Sequence, residues 1–102
     1  QVGESVVQHA VKLARATRPG DPNATAEINR YVSYGAGPRA TQYLILGAKA
    51  RAILNGFEAP SIDDVNALAP SVLRHRVLVN FHADADNIKS DDLVSQLLAK
   101  TR

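Results

Sequence analysis

The sequence predicts an all-α fold, a small helical bundle of about four to five helices with at most a very short extended pair. Three observations point there. Alanine is plentiful while aromatics make up only 5% of the 102 residues, a balance that suits close helix packing rather than a β-sandwich. Apolar residues recur at helical spacing along most of the chain. Several of these segments also begin or end on helix-capping residues. The length fits one domain, residues 1–102, with a single modest core.

Residues 4–17 form the first predicted helix. Val6, Ala10, Leu13, Ala14 and Thr17 share a face, with Val7 and Val11 beside them. Gly3 or an earlier residue caps it, Glu4 suits its first turn, and the run from Arg18 to Asn23, with two prolines and a glycine, stops it. Residues 27–34 suit either a short helical turn or an irregular extended piece, because Ile28, Tyr31 and Val32 have helical spacing but β-forming side chains.

Pro38 to Asn55 is the strongest helix. Pro38 takes the favoured first position after Gly37, and Asn55-Gly56 closes the end. Its apolar residues fall nearly all round, which predicts a helix at the centre of the bundle. Gly47 costs up to ~1 kcal/mol against alanine in mid-helix, so a closely packed neighbour is expected there. Ser61 opens the next helix with Asp63 and Asp64 in its first turn, and Val65, Leu68 and Ala69 face inward. Pro70 is expected to break or kink it, with a further turn at Val72-Leu73. Residues 76–79 suit a short extended segment. Ser90 opens the last helix, with Asp91 and Asp92 first and Leu93, Val94, Leu97 and Leu98 buried.

Composition excludes several chemistries. There is no cysteine, hence no disulfide or thiolate metal site. His9, His75 and His82 are far apart and match no zinc motif, so no metal site is expected. Asp84-Ala85-Asp86-Asn87 lacks the glycine of a calcium loop, and Ser95 stands where a bidentate glutamate is required. No apolar run approaches the ~18 residues of a membrane helix, and no leader-like segment is present. These features lead us to expect a cytoplasmic protein without membrane contact. A net charge of +2 with interleaved signs argues against nucleic acid as a partner. The chain has no methionine and opens at Gln1, close to a predicted helix, so it is read as a fragment of a longer protein.

The residue that breaks a rule is Arg39. The helices opening at Ser61 and Ser90 place acids at their positive ends, whereas the central helix places a cation there, at a cost of roughly 0.3–1 kcal/mol. A helix start preceded by glycines is also an anion site, and an arginine adds a planar fork that matches phosphate. The alternatives are a phosphate contact, a pairing with a nearby carboxylate, and a solvated side chain. Lys49 and Gln42 fall on the same side of the helix. Arg74-His75-Arg76 reads as helix-end capping rather than as a ligand site, and His9 and His82 carry no catalytic task.

The run Tyr34-Gly35-Ala36-Gly37-Pro38-Arg39-Ala40 resembles the sensor 2 motif of the MoxR family of AAA+ ATPases. Ala16-Thr17-Arg18 upstream is similar to the end of that family's first lid helix. Ala48-Lys49-Ala50, the run Pro60 to Val65 and the run Leu68 to Arg76 resemble the same family in the same order. The family often carries serine where Gly37 stands, so the cap here lacks a side-chain acceptor.

The resemblance implies a C-terminal lid packed on a nucleotide-binding core, with Arg39 as the catalytic sensor 2 arginine and Gly37, Pro38 and Arg39 near the nucleotide. It implies ATP and Mg in the full-length parent, and none in the isolated fragment. Its implied partners are the parent's own AAA+ core, neighbouring subunits of a ring, and a client or von Willebrand A-type protein served by a chaperone-like machine. The chain lacks a GxxxxGK[ST] phosphate loop and is expected to be inactive alone. The competing readings are a helical DNA-binding module and a protein-interaction bundle.

Overall fold

The computed structural model describes residues 2–101. Among these the order is α1 (Glu4–Ala16), α2 (Ala26–Tyr31), β1 (Val32–Tyr34), α3 (Pro38–Leu54), α4 (Ile62–Leu73), β2 (Leu78–Val79), α5 (Phe81–Ala85) and α6 (Ser90–Thr101). The all-α expectation holds, with one small antiparallel pair. Val32 faces Val79 and Tyr34 faces Leu78, with an irregular register between them. No helix among the described residues is long and apolar enough to cross a membrane.

The core is a seam of small and branched side chains. Ala10, Leu13 and Ala14 of α1 meet Ala40, Leu44 and Ala48 of α3 and Val65, Ala69 and Leu73 of α4, while Leu93, Val94, Leu97 and Leu98 of α6 close one side. Three of the four buried positions of α3, spaced four apart, are alanine (Ala40, Ala48 and Ala52), which lets neighbouring helix backbones approach closely. Gly47 shows how closely: a Cβ there would sit 2.8 Å from Leu68 Cδ1 of α4, which is the tight neighbour the sequence called for.

Residues 27–34 resolve into both alternatives. Thr25 caps α2 by accepting the Ile28 N–H at 3.1 Å, and the chain then extends into β1. Asn80 secures the junction, donating its N–H to the Tyr31 carbonyl and its Nδ2 to the Arg30 carbonyl, both at 2.8 Å. The five-residue α5 was not anticipated. It is capped by Asn80, whose side chain accepts the Ala83 N–H.

Two expectations are corrected. Pro70 neither breaks nor restarts α4, which is continuous from Ile62 to Leu73 with Pro70 inside it. Leu73, fully buried beyond the proline, and the Arg74 N–H bonded to the Pro70 carbonyl at 3.0 Å carry the last turn through. Packing on both sides thus offsets a backbone cost of about 3 kcal/mol. The central helix α3 is also not buried all round. Only Ala40, Leu44, Ala48 and Ala52 are buried, whereas Leu46, Ile53 and Leu54 are 59%, 70% and 85% exposed. With α1 and α4 on one side, no described element covers the other.

The acid-capped helix starts behave as predicted at α4 and differently at α6. Ser61 and Asp64 form a reciprocal capping box, and Asp64 also pairs with Arg51 of α3. At α6 only half of such a box forms, one residue earlier, with Asp92 accepting the Lys89 N–H at 2.9 Å while the Lys89 side chain offers no acceptor in return. The Ser90 hydroxyl instead donates to the Arg74 carbonyl at 3.1 Å, tying α6 to the end of α4.

Asp64 makes the fold pH-sensitive. The Ser61 backbone N–H donating to it holds its carboxyl below the usual carboxylate range. Burial opposes this, and the Arg51 guanidinium and the Ser61 hydroxyl reinforce it. A depressed folded-state pKa contributes stability that is present above the unfolded value of about 3.9 and is lost as pH falls through the folded value. The difference in melting temperature between the wild type and Asp64→Asn should therefore favour the wild type near neutrality and narrow below about pH 3.9, as thermal melts across acid pH would record.

Candidate functional site

The site begins at the end of α1. Thr17 is its C-cap and fully buried. Its hydroxyl donates to the Ala14 carbonyl at 2.6 Å, completing the last turn, and accepts the Ala36 N–H at 2.9 Å. Arg18 adds a second tie, with Nε donating to the Ala36 carbonyl at 3.0 Å. Both polar groups of the buried Ala36 are thereby satisfied by two successive residues at the end of α1. The turn before α3 is fixed to α1, not left as a free loop.

Gly35 makes that attachment possible. A Cβ at this position would lie 2.5 Å from the Thr17 carbonyl oxygen and 2.7 Å from Arg18 Cα. Both are backbone atoms that no rotamer change can move. The requirement is steric, since the two backbones touch.

Gly37 is the N-cap of α3 in extended conformation, with no side-chain cap bond, and Pro38 follows at the first helical position. Ala36 and Ala40 are buried, which turns Arg39 between them outward. Among the described arginines, Arg30, Arg51 and Arg74 pair with Asp86, Asp64 and Asp91. Arg18 and Arg76 hold carbonyls. Arg15 and Arg39 have no protein partner among the described residues. Arg15 lies in the last turn of α1, where the helix dipole favours a cation, and Arg39 lies in a first turn, where the dipole opposes one. The carboxylate-pairing alternative for Arg39 is thus not what the structure shows.

The remaining candidates have structural tasks. Arg76 donates to the Val72 carbonyl at 2.9 Å, the helix-end capping expected for Arg74-His75-Arg76, and stacks over the Tyr43 ring at 4.4 Å. Arg74 instead pairs with Asp91 at the start of α6 at 2.8 Å. His9 Nε2 lies 2.7 Å from Asn66 Oδ1 and links α1 to α4. Asp86 accepts the Tyr31 hydroxyl at 2.7 Å. No group of three His, Asp or Glu residues among those described is arranged to hold a metal ion. Gln42 is exposed and Lys49 half-buried on the outer side of α3, as their spacing from Arg39 predicts.

The sequence reading placed Thr17 on the inner face of the first helix and Arg18 at the start of the run that stops it, and assigned neither a contact with Ala36. A threonine ending an alanine-rich helix was the available signal, but its partner lies nineteen residues away. Thr17→Val keeps the shape and removes the hydroxyl, leaving the buried Ala36 N–H without an acceptor. It should destabilise the domain by about 1–3 kcal/mol in denaturant titration.

With this geometry in view, comparison with known proteins is decisive. A family model described as the AAA lid domain matches residues 24–97. The chain belongs to the AAA lid domain family. Chaperone MoxR1 of Mycobacterium tuberculosis is 30% identical over 97 residues, which is 95% of this chain and 26% of that protein. Protein MoxR of Methylorubrum extorquens is 30% identical over 90 residues, 74% of this chain and 26% of that one. A crystal structure of a protein described as a putative ATPase from Cytophaga hutchinsonii superimposes with a TM-score of 0.91 at 29% identity, over 98% of this chain and 30% of that chain. The lid is of the MoxR type, and it spans about a quarter of the length of the curated relatives it matches.

Proposed function

We propose that this lid is one segment of a longer MoxR-type AAA+ ATPase and that Arg39 is its sensor 2 arginine. The observation that carries the reading is the placement of Arg39. It is exposed, unpaired among the described residues and set against the helix dipole, on a turn tied down by Thr17 and Arg18. A cation held in an unfavourable place without a protein partner is accounted for by an anion from outside. Its planar fork fits the γ-phosphate of ATP, whose charge spreads over three oxygens in phosphoryl transfer.

The residues present suit a contributor rather than a holder. The lid has no phosphate loop, so a core elsewhere in the parent would bind ATP and Mg, with Gly37, Pro38 and Arg39 closing over the phosphate end. Arg39 would then couple the nucleotide's state to lid position and, in a ring, to the neighbouring subunit. The name of one relative, Chaperone MoxR1, supports a chaperone-like role for the parent, whose object would be a client or a von Willebrand A-type protein. A DNA-binding role fits less well, since the uncovered side of α3 exposes Leu46, Ile53 and Leu54 and only scattered cations rather than a stripe of Lys and Arg.

The test is ATP turnover by the full-length parent carrying Arg39→Ala, with Arg15→Ala as control. Turnover should fall in the first and hold in the second. Equal turnover in both would remove Arg39 from the mechanism.

A further inference from the structure

The C-terminal end of α3 carries a reactive pair. Among the asparagines of the chain only Asn55 precedes a glycine. Glycine has no Cβ to screen its backbone nitrogen, so the Gly56 nitrogen is the least hindered internal nucleophile facing any asparagine amide here. Both residues are exposed, as is every residue from Ile53 to Ala59.

The same glycine closes the helix. At φ +85°, Gly56 lets its own N–H reach the Ile53 carbonyl at 3.0 Å and the Phe57 N–H reach the Ala52 carbonyl at 2.8 Å. These are the paired bonds of a Schellman end. While they hold, the pair does not react. A five-membered ring needs the Gly56 nitrogen eclipsed with Asn55 Cβ, whereas the observed ψ of 5° eclipses it with the Asn55 nitrogen. Turning that ψ breaks both bonds. Little resists the turn. Phe57 occupies the position whose side chain commonly clasps such an end, yet it is 65% exposed. A terminus kept by solvent-exposed backbone bonds opens at small free-energy cost.

We propose that Asn55-Gly56 is a self-modification site, at which opening of the α3 terminus lets the Gly56 nitrogen attack the Asn55 side-chain amide. The N–Cγ bond forms and the Cγ–Nδ2 bond breaks. The Gly56 amide proton leaves with the displaced nitrogen as ammonia. Water then opens the cyclic imide at either carbonyl, giving aspartate or isoaspartate with no change of oxidation state. Either product puts a carboxylate at the negative end of α3, in the cleft where Arg51 pairs with Asp64 and which Asp63 also lines. Isoaspartate also carries the main chain through an extra methylene, so the Schellman bonds no longer close. A neutral, closed helix end becomes an acidic, open one. The site stands independently of the role of Arg39, which lies at the other end of the helix.

Peptide mapping of the full-length parent, aged at mildly alkaline pH, reads the site. Conversion in the native protein should gather at Asn55. Its rate should lie within about tenfold of the rate in the denatured parent, because a fraying terminus opens with a free energy near zero. Asn87, also exposed but followed by the branched Ile88, should convert more slowly in both states. Asn55→Gln, whose longer side chain closes a six-membered ring with difficulty, should abolish conversion in this peptide. In converted molecules the Phe57 amide should lose its hydrogen-exchange protection. Native conversion slower than denatured by far more than tenfold would show the helix end shut, and conversion at Asn87 outpacing Asn55 would remove the part given to Gly56. Either result overturns the proposal. Protection kept at Phe57 after conversion would overturn the opening of the helix end.

Discussion

Arg39→Ala in the full-length parent is expected to lower kcat for ATP hydrolysis by about 10²-fold or more, the scale on which one preorganised donor to a developing charge acts. A group that contacts the γ-phosphate as charge redistributes contributes more in the transition state than in the ground state. The loss should accordingly fall on kcat more than on KM. The lid itself should become no less stable. Arg39 has no protein partner among the described residues, and its removal relieves an unfavourable dipole interaction worth roughly 0.3–1 kcal/mol. The combination is diagnostic: a surface arginine kept only for stability would move the melting temperature and leave kcat alone. Arg39→Lys should recover a minor part of the activity, because an ammonium supplies charge without the planar fork. Steady-state kinetics on the three proteins, with circular dichroism melts, decide the matter.

Gly35→Ala should be the most damaging single methyl in the domain. Its Cβ would press on the backbone of Thr17 and Arg18, so relief requires the turn to move off α1. Overpacking of this kind costs about 1–3 kcal/mol. Separation would also strip the buried Ala36 peptide of both its partners, a further 1–3 kcal/mol for each group left unmade. A loss near 3 kcal/mol would lower the melting temperature by roughly 12–24 °C for a domain of this size. It should also disable ATP turnover, because Arg39 loses its platform. Gly37 offers the contrast. A Cβ there meets nothing within 4 Å, and Gly37→Ser should be tolerated and, by supplying a cap acceptor, gain a few tenths of a kcal/mol in chemical denaturation.

The contrast between these two glycines shows what the sequence could and could not reveal. Local chemistry was legible. Pro38, Asn55-Gly56, Ser61 and Asp64 act on residues within one turn, and each does what its type and position suggest. At the end of α3, Gly56 with φ +85° and the Phe57 N–H bonded to the Ala52 carbonyl finish the helix as the pair Asn55-Gly56 implied. Arg39 stood out for the same reason, since its conflict with the dipole is a matter of position in one turn.

What depended on distant neighbours was not legible. A helix apolar on every side gives no sign of which half its partners will cover, so the bare stripe from Leu46 to Ile53 appears only once α1 and α4 are in place. Pro70 looked like a break because the buried Leu73 beyond it is a tertiary fact. The hold of Thr17 on Ala36, and the contact that forbids a side chain at Gly35, are invisible without the fold. Both glycines read alike as glycines before a helix start, yet one is required by contact and the other is free.

The hydroxyl of Thr17 has a further consequence, in time rather than in space. The same oxygen completes the last turn of α1 and accepts the Ala36 N–H. The Ala36 amide can therefore exchange with solvent only when that end of the helix opens or the turn detaches from it. Its protection factor is a single-amide clock for the event that would let Arg39 leave its place. If nucleotide at Arg39 steadies the turn, the Ala36 amide of the parent should slow in hydrogen exchange when ATP analogue is added, while amides on the far end of α3 keep their pace.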